Sequence, residues 1–404
     1  MKLWVKIVIG LILGIAVGLL FKEQTKYIKP LGDLFINAIK MLIVPLIFSS
    51  LFVGVTGMND PKKMGRIGIK TFSLYLLTTA IAITIGLTLG TVLEPGAGIS
   101  LDQNFEQVTG KAQPVSDTLI NIIPKNPIKA ATDGNVLQLI VFALLLGVAT
   151  NMCSKEKAKP LINFMDSVAE AMYKLTAIVM EMAPYGVFAL MAGVASQYGL
   201  DILIPLLKIL IGVYLGCIIH ALLTLGGAVA FIAKLNPINF FKGILSALAV
   251  AYSTASSSGT LPITIRCAQR NLGASHSISN FVLPLGATIN MDGTAMYQGV
   301  AALFVAQAIG HDLTLANYVT IILTSTLASI GSAGVPGAGL IMLTLVLKSV
   351  GLPIEYIGII AGIDRILDMA RTTVNVVGDC MVTILVAKSE NELDETIFNK
   401  VATV

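Results

Sequence analysis

The sequence predicts an all-α membrane protein, and three observations carry that prediction: the composition, several long apolar runs, and two apolar segments that break off midway. Apolar residues make up 55% of the 404 residues, charged residues make up 12%, and the mean hydropathy is +0.84. A soluble domain carries about 25% charged residues. The composition therefore excludes an ordinary cytosolic enzyme, a disordered protein and a nucleic-acid binder.

Six apolar runs are long enough to cross a bilayer, since a spanning helix needs about 20 apolar residues. They cover residues 3–21, 34–57, 70–93, 135–152, 161–195 and 203–233. The first run ends without a small-residue cleavage site, so we expect a retained span rather than a signal peptide. Lysine and arginine concentrate in the loops after the second, fourth and sixth runs, which predicts cytoplasmic termini.

Two further segments are interrupted halfway. Residues 240–254 are apolar, residues 253–260 are rich in serine, and a second short apolar run then ends at Arg266 and Arg270. Neither half reaches across a hydrocarbon core about 30 Å thick. This pattern predicts a re-entrant hairpin, and residues 316–350 repeat it with a glycine-rich tip. Irregular backbone at that depth is tolerated only where it lines a polar cavity.

Between these hairpins, the apolar run 279–309 is interrupted by the polar residues 290–294. The interruption predicts a helix broken at the middle of the bilayer. Two interrupted hairpins, each followed by a span with a polar centre, indicate inverted repeats with the binding site between their halves.

The last apolar run, 356–388, carries the strongest functional signal. Its polar residues are Asp364, Arg365, Asp368, Arg371, Thr372, Asn375 and Asp379. At about 100° per residue, all except Arg365 fall within an arc of about 100°, and Arg365 lies beside it. Ionisable residues inside a span are costly and mark functional sites by default. A purely structural ion-pair network is the competing interpretation.

Charge arithmetic narrows the function. The polar segments carry four carboxylates and two guanidinium groups: Asp292, Asp364, Asp368, Asp379, Arg365 and Arg371. Such a surplus needs cations or protons to stay buried, and oxygen ligands suit a hard cation such as sodium. Arg371 suits a carboxylate and Asp368 suits an ammonium group, which together describe an acidic amino acid.

Three further patterns in the chain give weaker signals. The serine run could supply a hydrolytic nucleophile, but no histidine is near either tip in the sequence; it could also hold only flexible turn residues. The stretch from Gly334 to Gly337 follows no predicted strand, so a nucleotide-binding loop is a weak hypothesis. The four cysteines contain no CxxC pair and predict buried thiols, and the three histidines are dispersed.

Four motifs together resemble the dicarboxylate/amino acid:cation symporter family, which includes archaeal aspartate, bacterial glutamate and animal excitatory amino-acid transporters. They are SSSGT (256–260), NMDGT (290–294), GVPGAG (334–339) and DRILDMARTTVNVVGD (364–379). The resemblance implies eight transmembrane helices, two re-entrant hairpins and a homotrimer with an elevator mechanism. It also implies a secondary active symporter, not an enzyme, in the inner (plasma) membrane.

The resemblance further implies two domains. The scaffold would comprise residues 1–65 (helices 1 and 2) and 94–200 (helices 4 and 5). Residues 66–93 would form helix 3 of the transport domain, and residues 201–404 would form its core. That core would contain helix 6, hairpin 1 at 238–272, the broken helix 7, hairpin 2 at 314–350 and helix 8.

The family's substrate residues map onto this chain by motif. The resemblance implies that Arg371 binds the side-chain carboxylate and that Asp368 binds the amino group. The other implied substrate contacts are Ala255, Ser256, Ser257, Ser258, Thr294, Thr372 and Asn375. The implied lid is the second tip, formed by Val335, Pro336, Gly337, Ala338 and Gly339.

The resemblance also implies three sodium sites. The first would be formed by Gly286, Asn290, Asn375 and Asp379. The second would be formed by Thr288, Met291, Ser329, Ile330 and Ser332. The third would be formed by Tyr75, Thr78, Thr79, Asn290 and Asp292.

Family members for neutral amino acids lack the arginine of position 371, and members for C4-dicarboxylates typically lack the aspartates of positions 368 and 379. This chain keeps all three, so glutamate or aspartate is the expected substrate. Archaeal members carry an arginine at the position of Ala255, and animal members carry it at Met369. Arg365 lies one helical turn from Met369, and we expect it, with Asp364, to balance charge there.

The sequence leaves three functional hypotheses open beside sodium-coupled symport. Several bacterial members that this chain resembles run on protons rather than sodium. A C4-dicarboxylate carrier would use the same architecture. A ligand-gated ion channel on the same fold is the competing functional class.

Overall fold

A computed structural model of the chain describes residues 3–56, 63–99, 123–133, 136–330, 334 and 336–400. Over these residues the regular structure is helical, apart from one isolated antiparallel bridge between Ala274 and Leu393. The all-α prediction is therefore confirmed for the described part of the chain. The predicted residues Ser332 and Val335 lie outside it, as does the side chain of Ile330.

Seven helices lie in the first half of the described chain. They are α1 (Leu3–Phe21), α2 (Lys29–Thr56), α3 (Lys63–Leu93), α4 (Pro127–Thr132), α5 (Val136–Asn151), α6 (Lys155–Glu181) and α7 (Ala183–Tyr198), with a 3-10 helix at Lys22–Tyr27. The predicted span over 161–195 is not one straight helix, because Lys155–Val179 and Ala183–Ser196 meet at a bend of 52°. Pro184 explains the bend, since it lacks an N–H and disfavours helical backbone before it.

The second half of the described chain contains ten helices. They are α8 (Leu203–Ile219), α9 (Pro237–Thr254), α10 (Ser257–Arg270), α11 (His276–Ile289), α12 (Asp292–Ala308), α13 (Leu315–Ile330), α14 (Ala338–Ser349), α15 (Ile357–Ala361), α16 (Asp364–Ser389) and α17 (Glu395–Lys400). Two π-helical segments, His220–Leu225 and Ala228–Ile232, continue α8. Helices end at Thr254 and Ile289, where the sequence predicts interruptions. The break between α15 and α16 was not predicted.

The turn between α9 and α10 is only two residues long, and its chemistry explains why. Ala255 takes the left-handed conformation (φ 50°, ψ 44°) that ends α9. Ser256 then caps α10, because its side-chain oxygen accepts a hydrogen bond from the N–H of Gly259 at 3.0 Å. A residue in the left-handed conformation commonly ends a helix, and a serine commonly caps the start of the next one. The serine run therefore forms a compact tip.

The apolar helices suit a membrane, and the last long one lies at the centre of the molecule. Among the described residues, four helices are long and apolar enough to cross a bilayer, or five if the bent pair counts as one span. The first of these, over Val5–Tyr27, has 24% of its apolar window buried, whereas α16 has 89%. The polar stripe of α16 is therefore enclosed by protein.

The helices pack in two groups. Helix α1 packs along α7, and α2 packs against α5, α6 and α7. In the second group, α12 packs against α3, α8 and α16, while α16 also contacts α9, α10 and α11. Gly86 lets α3 approach the backbone of Met296 on α12 closely, as small residues do between membrane helices. This second group surrounds the polar residues of α16.

Candidate functional site

The two tips predicted by the sequence touch each other. The Ser256 hydroxyl donates to the carbonyl of Gly334 at 2.8 Å, and the Ser258 N–H donates to the same carbonyl at 3.1 Å. Residues about 78 positions apart in sequence are thus joined by hydrogen bonds to one backbone oxygen. The serine-rich tip and Gly334 of the glycine-rich tip are therefore in direct contact.

Arg371 is fully buried and paired with two carboxylates. Its guanidinium donates to Asp364 at 2.8 Å and to Asp368 at 2.9 Å. Its Cζ lies 4.2 Å from the ring centroid of Tyr297, within cation–π range. A Cβ on Gly339 would lie 2.9 Å from the same Cζ, so a side chain there would displace the guanidinium. The guanidinium is thereby held between an aromatic ring and a helix backbone.

Asp368 connects this pair to the second tip. Its Oδ2 accepts a hydrogen bond from the backbone N–H of Gly337 at 3.0 Å, while its Oδ1 accepts from Arg371. Gly337 has φ 83°, a conformation that glycine adopts without steric cost. The predicted lid is therefore attached to the carboxylate that the resemblance assigns to the substrate amino group.

A small cavity of about 10 Å³ lies between the tips and α16. It is lined by Ala255, Ser257, Met291, Thr294, Gly334, Ala338, Gly339, Asp368, Thr372 and Asn375. That volume holds roughly one water molecule, so an amino acid enters only if the walls separate. Arg371 lies behind Asp368 and Gly339 rather than on the cavity wall. Met291 and Gly334 are lining residues that were not predicted as substrate contacts.

The first predicted sodium site forms a connected polar cluster. The Asn290 side-chain amide donates to Asp379 at 2.9 Å and to the Asn375 carbonyl at 3.1 Å. Gly286 lies directly against the Asp379 carboxylate and the Tyr75 hydroxyl. The Asn290 Oδ1 atom is buried and has no hydrogen-bond partner among the described residues. A buried acceptor beside a carboxylate that no described lysine or arginine pairs with suits a hard cation.

The oxygen atoms that could bind a cation at this first site come mainly from amide, carbonyl and hydroxyl groups. The described residues contain no group of three or more His, Cys, Asp or Glu side chains placed to share a metal ion. The fit is therefore that of an alkali cation held by mixed oxygen ligands, as unwound helix segments provide, and not that of a carboxylate-rich or transition-metal centre.

The third predicted site centres on Asp292, which is fully buried. Its Oδ1 accepts from the Thr79 hydroxyl at 2.7 Å and from Thr78 at 3.3 Å. Its Oδ2 lies 3.0 Å from Nε2 of His220, which is also fully buried. His220 was missed by the sequence reasoning, because one histidine in an apolar helix creates no periodic signal.

The residues of the second predicted site make local contacts. The Thr288 and Ser329 hydroxyls donate to carbonyls of their own helices, at 3.0 Å and 2.7 Å. The Met291 sulfur accepts from the Asn375 amide at 3.2 Å, and the Asn375 Oδ1 accepts from the N–H of Gly293 at 2.8 Å. Asn375 thus ties the break between α11 and α12 to the cavity.

Arg365 reaches the first tip. Its guanidinium, almost fully buried, donates to the carbonyl of Thr254 at 3.0 Å. Thr254 directly precedes Ala255, the position where the family resemblance led us to expect an arginine in archaeal members. Asp364, the adjacent residue, pairs instead with Arg371. The two residues predicted to balance charge therefore have different partners: Arg365 contacts the first tip, and Asp364 pairs with Arg371.

Comparison with known proteins identifies the family of this chain. The model of the sodium:dicarboxylate symporter family matches residues 3–389. The chain belongs to this family. The match confirms the resemblance drawn from the four motifs, and it makes the chain a multi-pass membrane transporter rather than an enzyme.

Three relatives within the sodium:dicarboxylate symporter family span nearly the whole chain. A proton/sodium-glutamate symport protein of Geobacillus stearothermophilus is 40% identical over 96% of this chain and 95% of its own length. A proton/glutamate-aspartate symporter of Escherichia coli is 37% identical over 96% and 93%. A C4-dicarboxylate transport protein of Bacillus subtilis is 35% identical over 98% and 95%. The chain is similar to all three kinds of transporter.

Proposed function

We propose that this protein is a secondary active symporter that imports L-glutamate or L-aspartate together with sodium ions. One observation carries the proposal: Arg371, fully buried, is paired with Asp368 at the edge of a cavity lined by both tips. The residue pair is complementary to a substrate with a side-chain carboxylate and an ammonium group.

Substrate binding on this proposal is an exchange of ion-pair partners. Arg371 and Asp368 now satisfy each other. An acidic amino acid places a carboxylate on the guanidinium fork and its ammonium group on Asp368, so both buried charges stay compensated. A neutral amino acid supplies no carboxylate for Arg371, and a C4-dicarboxylate supplies no cation for Asp368. The site therefore favours glutamate and aspartate over both.

Sodium is the proposed coupled cargo. Asp379 and Asp292, with their amide and hydroxyl neighbours, would hold two of three ions, and Thr288, Met291, Ser329, Ile330 and Ser332 would hold another. Buried carboxylates that no lysine or arginine of the described residues neutralises need such compensation. Because Asn375 contacts both the cation cluster and the cavity, occupancy of one favours occupancy of the other by linkage.

The proposal includes the family architecture. Eight transmembrane helices and two re-entrant hairpins would form a homotrimer in the plasma membrane, with both termini cytoplasmic. Helices 1, 2, 4 and 5 would be the scaffold, and the remainder would move as an elevator. The two packing groups of helices support this division, and the contact between the tips supports their role as gates.

A proteoliposome assay tests the function. Purified protein is reconstituted, and uptake of labelled glutamate and aspartate is measured under an inward sodium gradient or an inward proton gradient. We expect concentrative uptake with sodium alone. Equal uptake with protons alone would overturn sodium coupling in favour of proton coupling.

Two further measurements distinguish the symporter from a C4-dicarboxylate carrier and from a channel. Unlabelled succinate is added in excess during glutamate uptake; strong competition would favour a C4-dicarboxylate carrier. Membrane current is recorded with substrate at equal concentrations on both sides, and substrate accumulation is measured separately under imposed ion gradients. A sustained current, in a protein that accumulates no substrate under those gradients, would favour a ligand-gated channel.

A further inference from the structure

His220 is a buried polar side chain that the proposed transport cycle leaves without a role. It begins the π-helical segment His220–Leu225, which packs against α3 and α16. Its Nε2 lies 3.0 Å from Oδ2 of Asp292, and both side chains are fully buried. A π-helical turn inserted into an α-helix is often found at a functional site.

The charge state of Asp292 sets the direction of this hydrogen bond. When Asp292 is ionised, as a cation ligand is, it only accepts, so Nε2 carries the hydrogen and donates to Asp292. The other ring nitrogen, Nδ1, has no hydrogen-bond partner among the described residues. Within that part of the chain, Asp292 is therefore the one hydrogen-bond partner of the imidazole. The ring serves this carboxylate and does not extend into a wider polar network of the described residues.

Asp292 is held from three sides. The hydroxyls of Thr78 and Thr79 on α3 donate to Oδ1, and His220 donates to Oδ2. On the side of α16, a Cβ at Gly378 would lie 3.3 Å from Oδ2 of Asp292, so the helix backbone closes that side. Among the described residues no other side chain hydrogen-bonds to Oδ2, so His220 alone holds that oxygen.

We infer that His220 is a positioning residue for the cation carried at Asp292. By holding Oδ2, it aims Oδ1 at the threonine hydroxyls that would share the ion. Groups that orient a metal ligand from behind typically change metal affinity by 10- to 100-fold when they are removed. This inference rests on the proposed sodium coupling.

The test measures sodium binding directly. The full-length wild-type protein and the variants His220→Leu, His220→Gln and His311→Leu are purified in detergent. Thermal unfolding without substrate is followed as sodium replaces N-methylglucamine at constant ionic strength. We expect the half-maximal sodium concentration to rise about tenfold or more in His220→Leu. It should stay near the wild-type value in His220→Gln, which retains an N–H donor, and in His311→Leu, where the histidine is exposed.

A second measurement separates positioning from a general loss of structure. The substrate dissociation constant at saturating sodium should be the same in all four proteins. If His220→Leu is not recovered folded, His220→Asn replaces it, since the shorter amide cannot reach Asp292, and it should show the same rise. If the Leu or Asn variant has the same half-maximal sodium concentration as the wild-type protein, the role of His220 is refuted and sodium coupling is not. If the wild-type protein shows no response to sodium, both the role of His220 and sodium coupling are refuted.

Discussion

Arg371 donates a hydrogen bond to Asp368 at 2.9 Å, so the two charged groups assigned to the substrate are each other's partners in this structure. Arg371 also donates a hydrogen bond to Asp364, which is not among the residues that line the cavity. A bound acidic amino acid would displace the contact with Asp368 and leave the contact with Asp364 in place. Asp364 therefore holds the Arg371 guanidinium in place while the contact between Arg371 and Asp368 is exchanged for contacts with the substrate.

Replacing Arg371 with lysine should reduce uptake of glutamate and aspartate by about tenfold or more, because a charged hydrogen bond is worth about 1.5–3 kcal/mol and lysine lacks the bidentate fork. Lysine is a sharper test than alanine, because two buried carboxylates without a cation would cost about 3–5 kcal/mol in stability. Initial uptake rates in proteoliposomes measure the effect, with Arg270→Lys as an exposed control. Unchanged uptake in Arg371→Lys would refute the role of the guanidinium.

Arg365 should be replaceable by an arginine at the neighbouring tip. Its guanidinium already contacts the carbonyl of Thr254, next to Ala255. We expect Arg365→Ala to slow aspartate uptake, and the double variant Arg365→Ala/Ala255→Arg to recover most of the rate. Ala255→Arg alone serves as the control for strain at a residue with φ 50°. A double variant no faster than Arg365→Ala would show that the charge cannot be supplied from the tip.

Gly337→Ala should weaken substrate binding more than it weakens the fold. An L-residue in the left-handed region costs roughly 1–2 kcal/mol, and here the strain falls on the N–H that binds Asp368. Gly351→Ala is the matched control, because Gly351 also has positive φ (72°) but lies beyond α14. Calorimetric binding and thermal unfolding compare them. Equal substrate affinity in the two variants would argue against a lid contact at Gly337.

Glu390 should add a small, pH-dependent stability increment at the end of α16. It binds Arg66 and Lys70 of α3, the latter at 2.7 Å, and these hydrogen bonds hold its pKa below the ordinary value of 4.5. A lowered pKa stabilises the folded state above 4.5, and that stability is lost as the pH falls through the folded-state pKa. Such pairs near solvent contribute little, because water and salt screen the charges.

The variant Glu390→Gln measures that increment. Its thermal midpoint should lie slightly below wild type at pH 7; the difference should shrink as the pH falls below 4.5 and vanish below the lowered folded-state pKa. Glu395→Gln, at an exposed pair with Lys388, is the control. A difference that persists or grows in acid would show that the carboxylate acts by packing rather than by charge.

Much of the fold and site was predictable because it depends on local patterns. The stripe of polar residues on α16 follows directly from helical periodicity. The interruptions after Thr254 and Ile289 were predicted from polar residues inside apolar runs. Such residues are costly in a membrane helix unless they face a polar cavity or a functional site. These signals are short-range, and the structure places helix ends where they predicted them.

The rest depends on contacts between distant segments, which one sequence does not encode in a readable form. Nothing in the run containing His220 indicates that its ring meets Asp292. Tyr297 reads as one more apolar residue until Arg371 is placed over its ring. The bend at Pro184 was missed because an apolar run continues across it, and a proline near a helix start is compatible with either one span or two.

The double pairing of Arg371 has an evolutionary consequence. A change at this position alone leaves Asp364 and Asp368 facing each other in a buried space, so a descendant that accepts neutral substrates would first pass through an unstable intermediate. Neutralisation of Asp364 before the loss of the arginine avoids that intermediate. Loss of Arg371 is therefore costly while both aspartates remain, and prior substitution of Asp364 is one order of changes that lowers this cost.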